Sequence, residues 1–232
     1  MSSNRSLSPV WPFPALDISL ALVERSFDPA ASLEAASGAF GIALPEDLSE
    51  AVLSRQTAYL TGRLCAGDAL GHAGAAERHV SRDHAGLPVW PAGYRGSITH
   101  SEALAGAVVA NADSCRGIGL DFENIGNPDV AAEIAELVLT DRDRRTISDI
   151  EAPDFATATI LVFSLKESLY KAIYPMLGDD AGFEDAELTR AADGRAVLRL
   201  RRRLGLTLPE GHELVGVYKV SADFVRTLVL LD

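Results

Sequence analysis

Cysteine is nearly absent. Cys65 and Cys115 are the only two in 232 residues, too few for a disulfide framework or a sulfur-ligated zinc site, so two reduced thiols are expected. Long apolar runs are absent too. No uninterrupted hydrophobic stretch reaches the roughly 18 residues that would suggest a membrane span. Pro12, Pro14 and Asp17 break up the apolar segment near the N-terminus, which argues against a signal peptide. The expectation is a cytoplasmic protein with no membrane partner. Basic charge is scarce as well: 21 Lys+Arg face 33 Asp+Glu, a formal net charge of −12. Non-specific affinity for duplex nucleic acid comes mainly from neutralising phosphates, so no nucleic-acid partner is expected. Any phosphate site must be a local basic cluster within an acidic chain.

What remains is an ordinary globular composition, 47% hydrophobic and 23% charged, on a chain long enough for one large domain or two small ones. Residues 18–26 read as a strand. Residues 46–71 space Leu48, Val52, Tyr59, Leu60 and Leu64 at helical intervals, and place Arg55, Tyr59 and Arg63 on one side of that helix. Residues 86–101, "GLPVWPAGYRGSITHS", are dense in Pro and Gly and read as a loop. "ALAGAVVAN" (103–111) and "GIGLDFE" (117–123) read as two strands. Asn127-Pro128 starts a helix, Asp154 caps a longer one that Pro175 is expected to close, and Asp193-Gly194 signals a hairpin. "ELVGVYKV" and "FVRTLVLL" read as the last two strands. Helices and strands mix without βαβ alternation, so an α+β fold with antiparallel sheets is expected.

Within this layout, Asp121 and Glu123 stand at i and i+2 of an otherwise apolar strand, so they share a face while Leu120 and Phe122 face the core. Two readings stand: the polar outer face of an edge strand, or a paired-carboxylate site for Mg²⁺, which favours oxygen ligands, water and substrate phosphate. In "FSLKESLYKAIYP" (163–175), Glu167 and Lys171 are one helical turn apart. They are either an ordinary surface pair or a third carboxylate for the metal and a cation for its phosphate. His100 and Ser101 follow a Gly-containing turn, and Arg55, Arg63 and Arg82 offer donors for a second phosphate. Trp90 and Tyr94 are either buried loop anchors or part of a docking patch. The run Arg199–Arg203 reads as a solvated hairpin edge without a role.

Four stretches, "GRLCAGDAL", "GLPVWPAGYRGSITHS", "GIGLDFE" and "FSLKESLYKA", occur in an order and spacing that resemble the 4′-phosphopantetheinyl transferases. The likeness is to the group that arms siderophore, polyketide and non-ribosomal peptide carriers, and it runs from about Arg55 to Pro175. It implies two similar α+β halves related by pseudo-two-fold symmetry, each a small, mainly antiparallel sheet with a packed helix. Residues 1–112 would hold the 3′-phosphoadenosine end of coenzyme A and residues 113–232 the metal and pyrophosphate, with the ligand in a cleft between them. Asp121, Glu123 and Glu167 would bind Mg²⁺ (Mn²⁺ being the alternative), and Lys171, helped by Lys166, the pyrophosphate. His100 and Ser101 would meet the 3′-phosphate, and Arg55, Arg63 and Arg82 would grip the nucleotide end. Some relatives carry a third acid where Phe122 stands here. One chain would form a complete cleft, so a monomer is expected.

The implied reaction moves the phosphopantetheine arm of coenzyme A to a serine of an apo acyl, peptidyl or aryl carrier protein and releases adenosine 3′,5′-bisphosphate. Glu167 is the candidate base and Lys171 the cation beside the leaving group. Two other readings are a catalytically silent coenzyme A or carrier-binding module and a nucleotidyltransferase. In the latter family the acidic pair follows Gly-Ser within about a dozen residues, whereas Gly96-Ser97 here precedes Asp121 by 24 positions.

Overall fold

The computed structural model describes residues 11–30, 42–150, 152–177 and 181–232. They form two compact units, one of Ile18–Ser114 and one of Cys115–Asp232 together with Pro12–Asp17.

The first unit is built on β1 (Leu20–Ser26), α1 (Leu53–His72), β2 (Ser81–Arg82), β3 (Pro88–Val89), β4 (Tyr94–His100) and β5 (Leu104–Asn111). Its three-stranded sheet runs β1-β5-β4, antiparallel throughout, and β2 and β3 form a separate short ribbon. β5 is the central strand and every residue from Leu104 to Ala110 is buried, which accounts for its unbroken apolar sequence. Helix α1 lies on this sheet through Ala58, Cys65, Ala66, Ala69 and Leu70, and an ion pair from Arg25 to Asp68 ties it to β1. The helix starts later than its periodicity suggests. Glu46–Leu48 is a separate 3-10 turn, and the helix proper begins at Leu53.

The expected loop over residues 86–101 is only half a loop. Gly86 to Gly93 supply the turn chemistry, and Tyr94–His100 then pairs in full register with β5. Glycine is tolerated there because the Trp90 ring fills the space a Cβ on Gly96 would need.

The second unit comprises β6 (Gly117–Asn124), α2 (Pro128–Val138), α3 (Asp141–Thr146), α4 (Phe155–Leu177), β7 (Ala186–Ala192), β8 (Arg195–Leu200), β9 (Glu213–Val220) and β10 (Phe224–Leu231). Its five-stranded sheet runs β6-β10-β9-β8-β7 with antiparallel neighbours. Asn127 caps α2 by accepting from the Asp129 N–H, with Pro128 in the first turn. Asp193 and Gly194 both have positive φ, 53° and 73°, the mirror-image turn that suits a two-residue hairpin. α4 does not stop at Pro175 but runs to Leu177. A proline in the last turn removes a single i→i−4 bond, too little to end a helix that is otherwise packed.

Packing of α4 on β6 decides the site. A Cβ on Gly119 would overlap the Ser168 carbonyl oxygen, and one on Gly117 the Ala172 carbonyl oxygen. The odd-numbered residues of β6 therefore face α4, at close backbone range. Asp121 and Glu123 continue that same face, so they do not lie on an open outer surface. Leu120 and Phe122 are buried on the opposite face. Among the described residues no helix is long and apolar enough to cross a membrane.

Candidate functional site

The strand carboxylates lie against one stripe of α4. Asp121 is 3% exposed, and both of its oxygens accept hydrogen bonds. Lys171 Nζ donates to Oδ1 at 2.6 Å and also to the Leu120 carbonyl at 3.2 Å; Ser164 Oγ donates to Oδ2 at 2.8 Å. Beneath them Thr227, the cross-strand partner of Asp121 on β10, sits between two helix hydroxyls. Its Oγ1 lies 2.9 Å from Ser164 Oγ and 2.7 Å from Ser168 Oγ. A buried polar network of this kind fixes the rotation of α4 on the sheet, because any turn of the helix would leave hydroxyls unpaired. Ser164, Ser168 and Thr227 were not singled out from sequence. The signal was there: serines at i and i+4 interrupt an otherwise apolar helix.

Glu123 and Glu167 share this neighbourhood. Burial pushes the Glu123 carboxyl up to about 7; Asp121 and Glu167 push the same way and Lys171 opposes them. The Glu167 carboxyl is also raised, by burial first, with Lys171 opposing and Asp121 adding. Three carboxylates are thus set against one ammonium. Among the described residues no three His, Cys, Asp or Glu side chains converge as a ready ligand set for a metal ion; the cation that engages Asp121 is Lys171. Glu167 also borders a cavity of ≈ 240 Å³, lined mostly by apolar groups such as Leu169, Tyr170, Ile173 and Phe183.

Lys166 must be corrected. It is not a second phosphate ligand: its Nζ is buried, 2.6 Å from Asp143 Oδ2, and donates to the carbonyls of Val138 (2.8 Å) and Phe183 (3.0 Å). Asp143 also accepts from the Leu188 N–H at 2.6 Å and from Thr140 at the start of α3. This ion pair joins α3, α4 and β7, and its lysine points away from Asp121. Burial lowers the Lys166 pKa, and Asp143 acts against that.

The expected basic cluster lies within the first unit. Arg55, Tyr59 and Arg63 of α1, Arg82 of β2 and His100 of β4 line a cavity of ≈ 300 Å³. Arg63 is 8% exposed, with its guanidinium 5.1 Å from the Tyr59 ring centroid. Burial lowers its pKa, Tyr59 opposes this, and Arg82 adds to it. Its Nη1 is buried with no hydrogen-bond partner among the described residues. A buried, unpaired guanidinium nitrogen beside a cavity is costly unless an anion meets it. Arg55 is exposed on the cavity rim. Arg82 is held by Asp47, with Nη1 at 2.7 Å from Oδ2, and by the Gly86 carbonyl at 3.2 Å. Ser101 does not line the cavity, although its Oγ is buried and lacks a partner among the described residues.

Trp90 and Tyr94 resolve as loop anchors. Both pack on the core of the first unit, and the Tyr94 hydroxyl reaches the Ala73 carbonyl at 3.4 Å.

Two family models match the chain: the 4′-phosphopantetheinyl transferase N-terminal domain over residues 44–110, and the 4′-phosphopantetheinyl transferase superfamily over residues 117–223. Among curated proteins, the chain is 33% identical to the 4′-phosphopantetheinyl transferase Svp of Streptomyces mobaraensis, over 75% of this chain and 70% of that protein. It is 30% identical to the 4′-phosphopantetheinyl transferase PptT of Mycobacterium tuberculosis, over 81% and 86%. With enterobactin synthase component D of Salmonella typhimurium the identity is 32%, over 70% and 67%.

Proposed function

The chain belongs to the 4′-phosphopantetheinyl transferase superfamily, and on that premise we propose that it transfers the phosphopantetheine arm of coenzyme A to a serine of an apo acyl, peptidyl or aryl carrier protein. The single observation that carries the site assignment is Lys171 clasping Asp121 while Glu123 and Glu167 are pushed toward neutrality beside them. Such a cluster holds more negative charge than one ammonium offsets. That excess and the all-oxygen donors suit a hard divalent cation such as Mg²⁺ or Mn²⁺; Asp121, Glu123 and Glu167, which do not converge as a ligand set in this structure, would have to draw together to hold it. When bound, the ion would supply positive charge opposite the pyrophosphate oxygens.

Each remaining step belongs to the chain's own side chains. Lys171, whose Nζ donates to the Asp121 carboxylate and the Leu120 carbonyl, would present its charge to the pyrophosphate. The carrier serine oxygen would bond to the phosphorus that bears the pantetheine. The bond from that phosphorus to the bridging oxygen breaks, and adenosine 3′,5′-bisphosphate leaves. Charge building on the leaving oxygen is offset by Lys171, so catalysis is by position and electrostatics rather than through a covalent enzyme intermediate. Glu167, bordering the cavity, would accept the serine proton. In the first unit, Arg63 Nη1 would meet the 3′-phosphate, with Arg55 and His100 around it; Arg82, already committed to Asp47, would help mainly by charge. The fold of Ser101 away from that cavity leaves it outside this assignment.

The test is to mix purified protein, coenzyme A, a divalent cation and an apo carrier, and to weigh the carrier. A gain of one phosphopantetheine arm is expected, and Glu167→Gln should cut the rate by more than ~100-fold while coenzyme A binding weakens only modestly. An unchanged carrier mass with several carriers would overturn the activity. Near wild-type turnover by Glu167→Gln would overturn the roles given to Glu167.

A further inference from the structure

Three fully buried hydroxyls lie beside Asp121, and nothing in the reaction above uses them: Ser164 and Ser168 of α4 and Thr227 of β10. Each stands in an apolar setting. Thr227 comes between Val225 and Val229 on the side of β10 that faces α4, and the serines fall among Leu161, Leu165 and Leu169. Replacing a whole hydrogen-bonded set by apolar groups of the same shape is often nearly neutral. Packing energy alone therefore does not call for hydroxyls at these three places.

Proton counting gives the network a direction. A carboxylate can only accept, and a hydroxyl has one proton to give. Ser164 Oγ gives its proton to Asp121 Oδ2 at 2.8 Å. Its 2.9 Å contact with Thr227 Oγ1 is therefore donated by Thr227, which divides its proton between that oxygen and the Ser164 carbonyl at 2.8 Å. Ser168 Oγ lies 2.7 Å from Thr227 Oγ1 and 3.1 Å from the Thr227 carbonyl, and it is the donor to both. The donors thus run from Ser168 through Thr227 and Ser164 to Asp121. Hydrogen bonds in such a chain polarise one another in the same sense. The chain ends on the carboxylate whose other oxygen, Oδ1, accepts from Lys171.

We infer that Ser164, Thr227 and Ser168 are positioning residues for the reaction: by holding Asp121 Oδ2 they fix the plane of the carboxylate, and with it Oδ1 as the oxygen turned to Lys171. The inference rests on the transferase reading above and adds residues that act through Asp121 rather than on a substrate. A second donor of this kind tunes a ligating carboxylate as well as orienting it. Ser164 acts on Asp121 directly, Thr227 through Ser164, and Ser168 through both, so their influence falls in that order.

The experiment compares the wild type with Ser164→Ala, Ser168→Ala, Thr227→Val and Thr227→Ser, well below each thermal midpoint so that only folded protein is read. At saturating coenzyme A and apo carrier, Ser164→Ala should lower kcat by roughly tenfold or more, Thr227→Val by about fivefold and Ser168→Ala by about twofold. Mn²⁺ affinity, read by electron paramagnetic resonance with neither substrate present, should weaken in the same order, by roughly tenfold for Ser164→Ala. Thr227 separates hydroxyl from shape. Valine keeps the shape and loses the hydroxyl; serine keeps the hydroxyl and loses a methyl. Thr227→Ser should therefore stay within about twofold of wild type in kcat even where its thermal midpoint falls. Ser164→Ala with kcat and Mn²⁺ affinity both unchanged would overturn the inference while wild-type transfer still upheld the activity. A Thr227→Val that transfers faster than Thr227→Ser would overturn it too, since packing would then be the role. If the wild type leaves the carrier mass unchanged, the transferase reading itself fails, and this inference with it.

Discussion

The two units use one construction for opposite charges. Each lays a long helix on an antiparallel sheet and seats it through glycine. In the first unit the glycine is on the helix, where a Cβ on Gly62 would come within 2.8 Å of an Ile98 methyl. In the second the glycines are on the strand, and the obstruction is the helix backbone itself at Ser168 and Ala172. Above the first contact lies a basic cavity with an unpaired Arg63 nitrogen; above the second lies an acidic cluster with Lys171 inside it. Both sites are out of charge balance, and burial acts on both. The Arg63 pKa falls and the Glu123 and Glu167 pKa values rise, so burial disfavours the charged form at each site. A site that holds charge at such a cost is suited to a ligand of the opposite sign.

Catalysis is where the contrast should be largest. Lys171→Met removes the ammonium that contacts Asp121, and carrier transfer should fall by roughly 100-fold or more. If transfer falls less than about tenfold, the lysine is structural.

Packing separates the units next. Gly119→Ala drives a methyl into helix backbone that cannot yield and should cost about 3 kcal/mol in denaturant unfolding. Gly62→Ala meets one γ-methyl of the β-branched Ile98, which is stiff but is not backbone, and gains helix propensity, so it should cost less than Gly119→Ala, about 1 to 2 kcal/mol. Equal costs would mean that the two helices are seated alike.

A smaller effect tests the basic cavity. Arg63→Met should raise KM for coenzyme A roughly tenfold, the worth of one charge-assisted hydrogen bond, with stability nearly unchanged, because loss of the buried, partnerless Nη1 offsets loss of the contact with the Tyr59 ring. Coenzyme A lacking its 3′-phosphate should then bind wild type and variant alike. A variant that still favours the 3′-phosphorylated form would place that phosphate elsewhere.

The smallest expected change is none at all. Cys65 is buried in the first unit, its Sγ 3.6 Å from the Ala105 carbonyl, and burial pushes its thiol up to about 12. At pH 8 only about one molecule in 10⁴ would carry the thiolate, so iodoacetamide should leave it unmodified in the native state. Rapid alkylation at pH 8 would show that α1 lifts off its sheet.

Strands and caps were legible because local chemistry decides them. Residues 213–220 and 224–231 are strands at the expected limits, and Asn127-Pro128 and Asp193-Gly194 do what those dipeptides do anywhere. The candidate site was legible as an inventory: Asp121, Glu123, Glu167 and Lys171 share one neighbourhood, and Arg55, Arg63, Arg82 and His100 line one cavity. The failures share a cause. Lys166 and Lys171 lie about 140° apart around a helix, and "FSLKESLYK" is polar or buried on every side. No apolar stripe says which lysine meets Asp121 and which meets Asp143. That depends on how α4 is rotated on the sheet.

By itself the sequence determined the charge of each site, the positions of the hairpin turn and helix starts, and the one-turn spacing of Glu167 and Lys171, since these depend on residues near one another along the chain. Only the tertiary structure decided that the glycine-carboxylate face of β6 lies under α4 and that Lys166 is sealed in an ion pair. It also decided that Tyr94–His100 is a strand. β6 is buried on both faces, so its alternation carries no direction; it took the close approach of a helix backbone, which only Gly117 and Gly119 permit, to choose one.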